Sequence, residues 1–170
     1  MSTSSNPWRR GKASSFADPA DVRAFKRAKE RGLSDREAFK YGDNGIGLWG
    51  TDTTLPRPMC ALPREDWEHL GRRAEGAPLE VRANGRQIRC ELQDTLPSRR
   101  FIKNGVVIDL NPEACRLLGM TPPILVTASW RWATPQTPTD SKIASADSPL
   151  ARLIAKIKSA LEKLGLSQSA

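Results

Sequence analysis

The stretch "LEVRANGRQIRCEL", residues 79–92, alternates apolar Leu79, Val81 and Ala83 with polar neighbours, turns at Asn84-Gly85, and resumes the alternation at Ile88, Cys90 and Leu92. Asn-Gly between two alternating runs predicts a β-hairpin closed by a tight turn with positive φ angles. Downstream, "ILVTASWRW" (124–132) places Val126, Ala128, Trp130 and Trp132 on one face and Leu125, Thr127, Ser129 and Arg131 on the other, the period of a strand. Between them Asn111 caps a predicted helix that starts at Pro112, carries Ala114, Leu117 and Leu118, and ends at Gly119. Residues 43–132 therefore read as a mainly β domain with one short inserted helix.

The flanks differ in composition. Residues 1–17 are Ser-rich and basic and read as a disordered terminus. In 18–42, Asp18 caps a helix with Pro19 at its first position and Gly32 beyond its end, and "SDRE" at 34–37 is a capping box for a second, short helix. Those two elements predict a helical hairpin. Residues 133–147 form a Pro/Thr/Ser/Ala linker. In 148–165, Ser148 and Pro149 open a helix whose Leu150, Leu153, Ile154, Ile157, Leu161 and Leu164 recur at helical spacing beside Arg152, Lys156, Lys158 and Lys163. That basic amphipathic helix suits an anionic membrane surface, a partner helix or docking on its own domain.

Composition restricts the function. A chain of 170 residues holds one domain of about 100 residues plus tails. A net charge of +8 favours anionic partners: nucleic acid, a membrane surface or an acidic cell-wall polymer. The first residues contain no apolar signal-peptide core, and no later run is long enough to span a bilayer, so the chain is expected to be made as a soluble cytoplasmic protein. Cys60, Cys90 and Cys115 show no CxxC or Cys/His spacing, and His69 is the single histidine, so neither a metal nor another cofactor is expected. The glycines of "GDNGIGLWG" (42–50) precede no Gly-Lys-Ser/Thr and read as a turn-rich strand entry.

The order "CALP…LEVRANGRQIRCELQDTLP…VVIDLNPEACRLLG…VTASWRW" resembles the double-psi β-barrel of rare-lipoprotein-A-like proteins, expansins and family-45 glycoside hydrolases. The resemblance covers roughly residues 43–132 and implies a closed six-stranded barrel flanked by the helical hairpin and the amphipathic helix. It places Asp94 at the strand-end acid needed by the lytic transglycosylases of that group, and Asp109 at the acidic position of the expansin-like "HFDL" segment, the general acid of the related glycosidases. Thr53 and Thr54 fall where such barrels carry a polar threonine. Trp49, Trp67, Trp130 and Trp132 offer aromatic faces to pyranose rings, one or two of the four lining a groove, with Trp49 the choice for substrate contact. Cys60 and Cys90 fall in barrel segments, and a disulfide between them stays open.

Two carboxylates on one groove are sufficient in principle to cleave a glycosidic bond. The residues also permit a plainer role, Asp94 bracing a turn and Asp109 a helix entry. Two functions stand. One is binding, with cleavage of the lytic transglycosylase or glycosidase type, of peptidoglycan or another anionic polysaccharide at the cell envelope, phage origin included. The other is a non-catalytic barrel module whose basic tails contact nucleic acid or an assembly partner.

Overall fold

A computed structural model of the chain describes residues 6–134. Six strands, β1 (Arg9–Ser15), β2 (Met59–Pro63), β3 (Pro78–Ala83), β4 (Arg86–Leu96), β5 (Val106–Leu110) and β6 (Leu125–Trp132), close into a barrel in the order β1-β5-β2-β4-β3-β6. The β1/β5 and β2/β4 pairs are parallel, and the β1/β6, β2/β5, β3/β4 and β3/β6 pairs are antiparallel. Exchanging β1, β2 and β3 with β4, β5 and β6 maps every pair onto a pair of the same sense. This internal pseudo-twofold makes the closed barrel a double-psi β-barrel, the architecture expected from the sequence.

The β3–β4 hairpin turns at Asn84 (φ 50°) and Gly85 (φ 70°), both left-handed as the Asn-Gly pair requires. Inward positions build the core: Leu79, Val81, Leu92, Ile108, Leu110 and Trp130 are each fully buried. The Trp130 indole also donates from Nε1 to the Val107 carbonyl at 3.0 Å, so its one polar group is satisfied. Cys60, Cys90 and Cys115 are free, buried thiols, and the open disulfide is not formed.

Helices α1 (Pro19–Glu30) and α2 (Asp35–Ala38) form the expected hairpin between β1 and β2. Asp18 caps α1, and the Ser34/Glu37 capping box is complete. Helix α3 (Arg64–Trp67) follows β2, and α4 (Pro112–Leu117) follows β5, at positions related by the pseudo-twofold. Asn111 caps α4 and is fully buried. Its Oδ1 accepts from the Met59 and Ala114 amides at 2.9 and 3.0 Å, and its Nδ2 donates to the carbonyls of Thr53 and Arg57 at 3.0 and 2.9 Å.

One expectation fails. Residues 9–15 are not part of a disordered terminus but form β1, which closes the barrel between β5 and β6. Its inward positions are Gly11 and Ala13, so it carries none of the large apolar residues that announce a strand. The barrel demands this: a Cβ on Gly11 would lie 2.5 Å from Val107 Cγ1 and 2.9 Å from the Gly105 carbonyl oxygen. The barrel therefore begins before the expected residue 43. The linker beyond Thr134 and the helix at 148–165 lie outside the described residues.

Candidate functional site

The strand registers place Ser14 opposite Asp109, Asp109 opposite Ala61, and Ala61 opposite Asp94. These residues form one row across β1-β5-β2-β4. With strands about 4.8 Å apart, the Asp94 and Asp109 backbones lie about 10 Å apart with Ala61 between them. Ile108 and Leu110 point into the core, as do Cys60 and Leu62, so alternation turns Asp109 and Ala61 outward. Ala61 is covered by a small apolar cluster of Phe16, Ala17 and Leu96. A bulge between Cys60 and Ala61 in the β2/β4 register brings Asp94, rather than Gln93, level with Ala61.

Both carboxyl groups titrate well above an ordinary aspartate. Burial pushes Asp94 up to about 6, opposed by the Thr95 and Leu48 amides and reinforced by the Asp43 charge. Thr95 donates to Asp94 Oδ1 at 2.8 Å. Burial pushes Asp109 up to about 7, against the Ser14 hydroxyl and the Leu110 amide, with Asp43 and Asp21 adding to the rise. Asp109 Oδ1 is buried and has no hydrogen-bond partner. A carboxylate left this way is costly, whereas the neutral acid carries a proton it can donate.

Asp43 is the group that the sequence reading passed over. Its carboxylate receives the Gly45 amide at 2.7 Å, the local turn contact that the Asp-Asn-Gly sequence announces, and burial raises its own pKa. Its action on both Asp94 and Asp109 is a long-range consequence of folding. The loop that follows is tied to β4 beside Asp94: the Leu48 amide donates to the Gln93 carbonyl at 3.1 Å, and Thr51 Oγ1 to Gln93 Oε1 at 3.0 Å. Its Ile46, Leu48 and Leu55 are exposed.

The remaining predicted residues separate. Trp49 is half-buried and meets Trp67 edge to face, ring centroids 5.3 Å apart. Trp67 Nε1 donates to Thr95 Oγ1 at 3.3 Å, so this aromatic pair adjoins the Asp94 end of the row. Thr54 is exposed, and its amide and hydroxyl both donate to Asp52, at 2.9 and 2.6 Å. It lines a cleft of about 340 Å³ with Ala17, Val22 and Pro112. Thr53 cannot touch a polymer: it is fully buried, its carbonyl is held by Asn111, and its hydroxyl has no hydrogen-bond partner. Trp130 is a core residue. His69 lies exposed on the 3-10 turn Glu68–Ala74, away from any nucleophile partnership. Among the described residues no cluster of three or more His, Cys, Asp or Glu side chains is placed to hold a metal ion.

The site is thus an outward row of two acid-capable aspartates around a small residue, with a tryptophan pair at one end. The sequence matches no protein family model and no curated protein. Among solved structures the chain is similar to a mutant Clavibacter michiganensis expansin in complex with cellohexaose (TM-score 0.47, 16% identity, covering 78% of this chain and 54% of that one). It is similar to the same organism's expansin in its apo form (0.47, 16%, 77% and 52%) and to a Streptomyces papain inhibitor (0.46, 20%, 75% and 96%). The chain spans about half the length of the expansin chains. The class of protein, a double-psi β-barrel, follows from the strand pairing itself.

Proposed function

We propose that this barrel binds a cell-wall glycan at the Asp94 end of the Ser14–Asp109–Ala61–Asp94 row, beside Trp49 and Trp67, and cleaves it at a glycosidic bond, with peptidoglycan as the polymer. The observation that carries the reading is the register: three adjacent strands bring Asp109 and Asp94 to either side of Ala61 on one outward face. The side chain that separates them is the smallest that still carries a Cβ.

With its pKa near 7, Asp109 is substantially protonated at neutral pH and serves as the general acid. It gives its proton to the bridging oxygen as the bond from that oxygen to the anomeric carbon breaks. Asp94, with its lower pKa of about 6, is largely ionised at the same pH and stabilises the positive charge that develops on the sugar. In the lytic transglycosylase form of the reaction, a hydroxyl of the same sugar then attacks the anomeric carbon and returns its proton to Asp109, closing the cycle without water. Trp49 and Trp67 lie where an adjoining sugar ring would pack.

Incubating the protein with purified peptidoglycan sacculi and analysing the soluble fraction by mass spectrometry tests this. Anhydro-muropeptides are the expected product, and reducing-end sugars would assign hydrolysis instead. Protein that pellets with the sacculi and releases nothing would reduce the function to binding.

A further inference from the structure

The opposite side of the barrel carries an arrangement that glycan cleavage does not use. In the ring β1-β5-β2-β4-β3-β6, the β3/β6 contact lies across from the β5/β2 contact that holds the aspartates. There Arg10 pairs with Ser129, Ser129 with Arg82, and Arg82 with Gln87, a second row across β1-β6-β3-β4. Ala83, Ala128 and Ala13 fill the inward positions, so alternation turns Arg10, Ser129 and Arg82 outward. The result is a cleft of about 630 Å³ lined by Arg10, Arg82, Arg86, Gln87, Thr127 and Ser129, with no acidic residue among its lining side chains.

The charge in this cleft is not neutralised locally. Among the described residues, Arg10, Arg82 and Arg86 form no ion pair, although Arg86 Nη1 donates to the Leu117 carbonyl at 3.4 Å, whereas Arg9, Arg99 and Arg131 each meet a carboxylate. Arg82 is held in place: its Nε donates to Gln87 Oε1 at 2.7 Å, and its guanidinium lies 4.0 Å from the Trp8 ring centroid. Both leave terminal N–H groups of the fork available. Arg131 also lies over Trp8, at 4.5 Å, so this tryptophan is engaged by two arginines.

The geometry points to a binding site for a phosphate monoester in this cleft. Guanidinium forks match oxyanions, and three of them with the Ser129 and Thr127 hydroxyls present more donors than the two oxygens of a carboxylate can receive. A phosphate monoester supplies about two negative charges and three strong acceptor oxygens, which matches the set. The ligand is a phosphorylated sugar or another small ester whose uncharged part rests on the Ala83–Asn84–Gly85 turn. The site stands independently of the glycan reading, because it shares no side chain with the aspartate row.

Titrating the full chain with glucose 6-phosphate, followed by phosphorus NMR line broadening and calorimetry, tests the assignment. Glucuronate and a thymidylate oligonucleotide provide the carboxylate and phosphodiester comparisons. The expected result is saturable binding of the monoester, weakened at least tenfold in Arg10→Gln and in Arg82→Gln, and unchanged in Asp94→Asn. The Arg10 side chain makes no hydrogen bond, ion pair or ring contact within the described residues, so Arg10→Gln tests the charge without disturbing the fold. The inference is overturned if Arg10→Gln binds like the parent, if glucuronate binds as tightly as the phosphate ester, or if the oligonucleotide binds more tightly per phosphate.

Discussion

The two halves of the barrel share one topology and divide its chemistry unequally. The pseudo-twofold carries β1 onto β4 and β2 onto β5, so the Ser14–Asp109 pair maps onto the Asp94–Ala61 pair. Both carboxylates come from the second half, and the equivalent positions in the first half hold a serine and an alanine. Backbone symmetry thus supplies a four-strand row, and residue asymmetry makes it a candidate site. Ala61, packed under Phe16, Ala17 and Leu96, puts no second charge beside Asp109, Ser14 offers a hydroxyl to it, and four carboxylates in the row would have opposed one another. The helices after β2 and β5 differ in the same way, for α4 has a buried side-chain cap and α3 has none.

The largest test of this division is removal of its titratable protons. Asp109→Asn and Asp94→Asn keep size and most hydrogen bonding, so each variant is expected to fold while its release of soluble muropeptides falls by about 10²–10⁴-fold. Measurement is by mass spectrometry of sacculus digests, at matched folded concentrations. If either variant unfolds readily and retains its activity per folded molecule, that aspartate is a turn residue and the asymmetry has no chemical meaning.

Next in size is the helix comparison. Asn111→Ala removes a cap and strands several buried backbone groups, so it is expected to cost about 3 kcal/mol in urea unfolding. Arg64→Ala on α3 loses only an exposed pair with Glu68 and is expected to stay within about 0.5 kcal/mol of the parent. Equal costs would show that the two helix entries are equivalent.

What could be read from the sequence follows the range of the interactions involved. The Asn84-Gly85 turn, the Asp18 and Asn111 caps and the Ser34/Glu37 box are local, and each was legible because neighbouring residues alone satisfy it. Asp94 and Asp109 were legible as candidates through a family resemblance, whereas their meeting across Ala61 depends on two non-local registers. β1 was hidden because a crowded barrel interior selects Gly11 and Ala13 where a sequence pattern looks for large apolar residues. Asp43 was hidden because its visible job, closing a turn onto Gly45, masks its effect on carboxylates elsewhere in the chain. Thr53 was mistaken for a surface contact because its burial follows from its carbonyl being held by Asn111.

A third test uses pH. Folding raises Asp109 from 3.8 to about 7 and Asp94 from 3.8 to about 6, so between those values the folded state binds more protons than the unfolded chain. Stability therefore falls as pH rises from about 4 through 7. Asp109→Asn removes the larger penalty and is expected to stabilise the fold at pH 8 while doing little at pH 4. Calorimetric melting at the two pH values measures it. Cleavage in the parent is expected to follow a bell centred between about pH 6 and 7, with limbs that belong to the coupled pair. A melting profile unaffected by the substitution would mean that Asp109 is not held neutral by the fold.

The smallest effect bears most directly on why the first half carries a serine. Ser14 sits opposite Asp109 in the β1/β5 register, and its hydroxyl favours the ionised form of that carboxyl against the burial that opposes it. Ser14→Ala withdraws one hydrogen bond and adds no charge, so the Asp109 pKa is expected to rise by roughly half a unit, equivalent to about 0.7 kcal/mol. Carbon-13 NMR of the aspartate carboxyl groups reads this shift, and the alkaline limb of the cleavage profile should move upward with it. Asp94 lies two strands beyond Asp109 in the row, so its titration should stay in place. An Asp109 resonance that titrates as in the parent would leave Ser14 a packing residue, and the serine would then mark only the small volume that the crowded β1 strand allows.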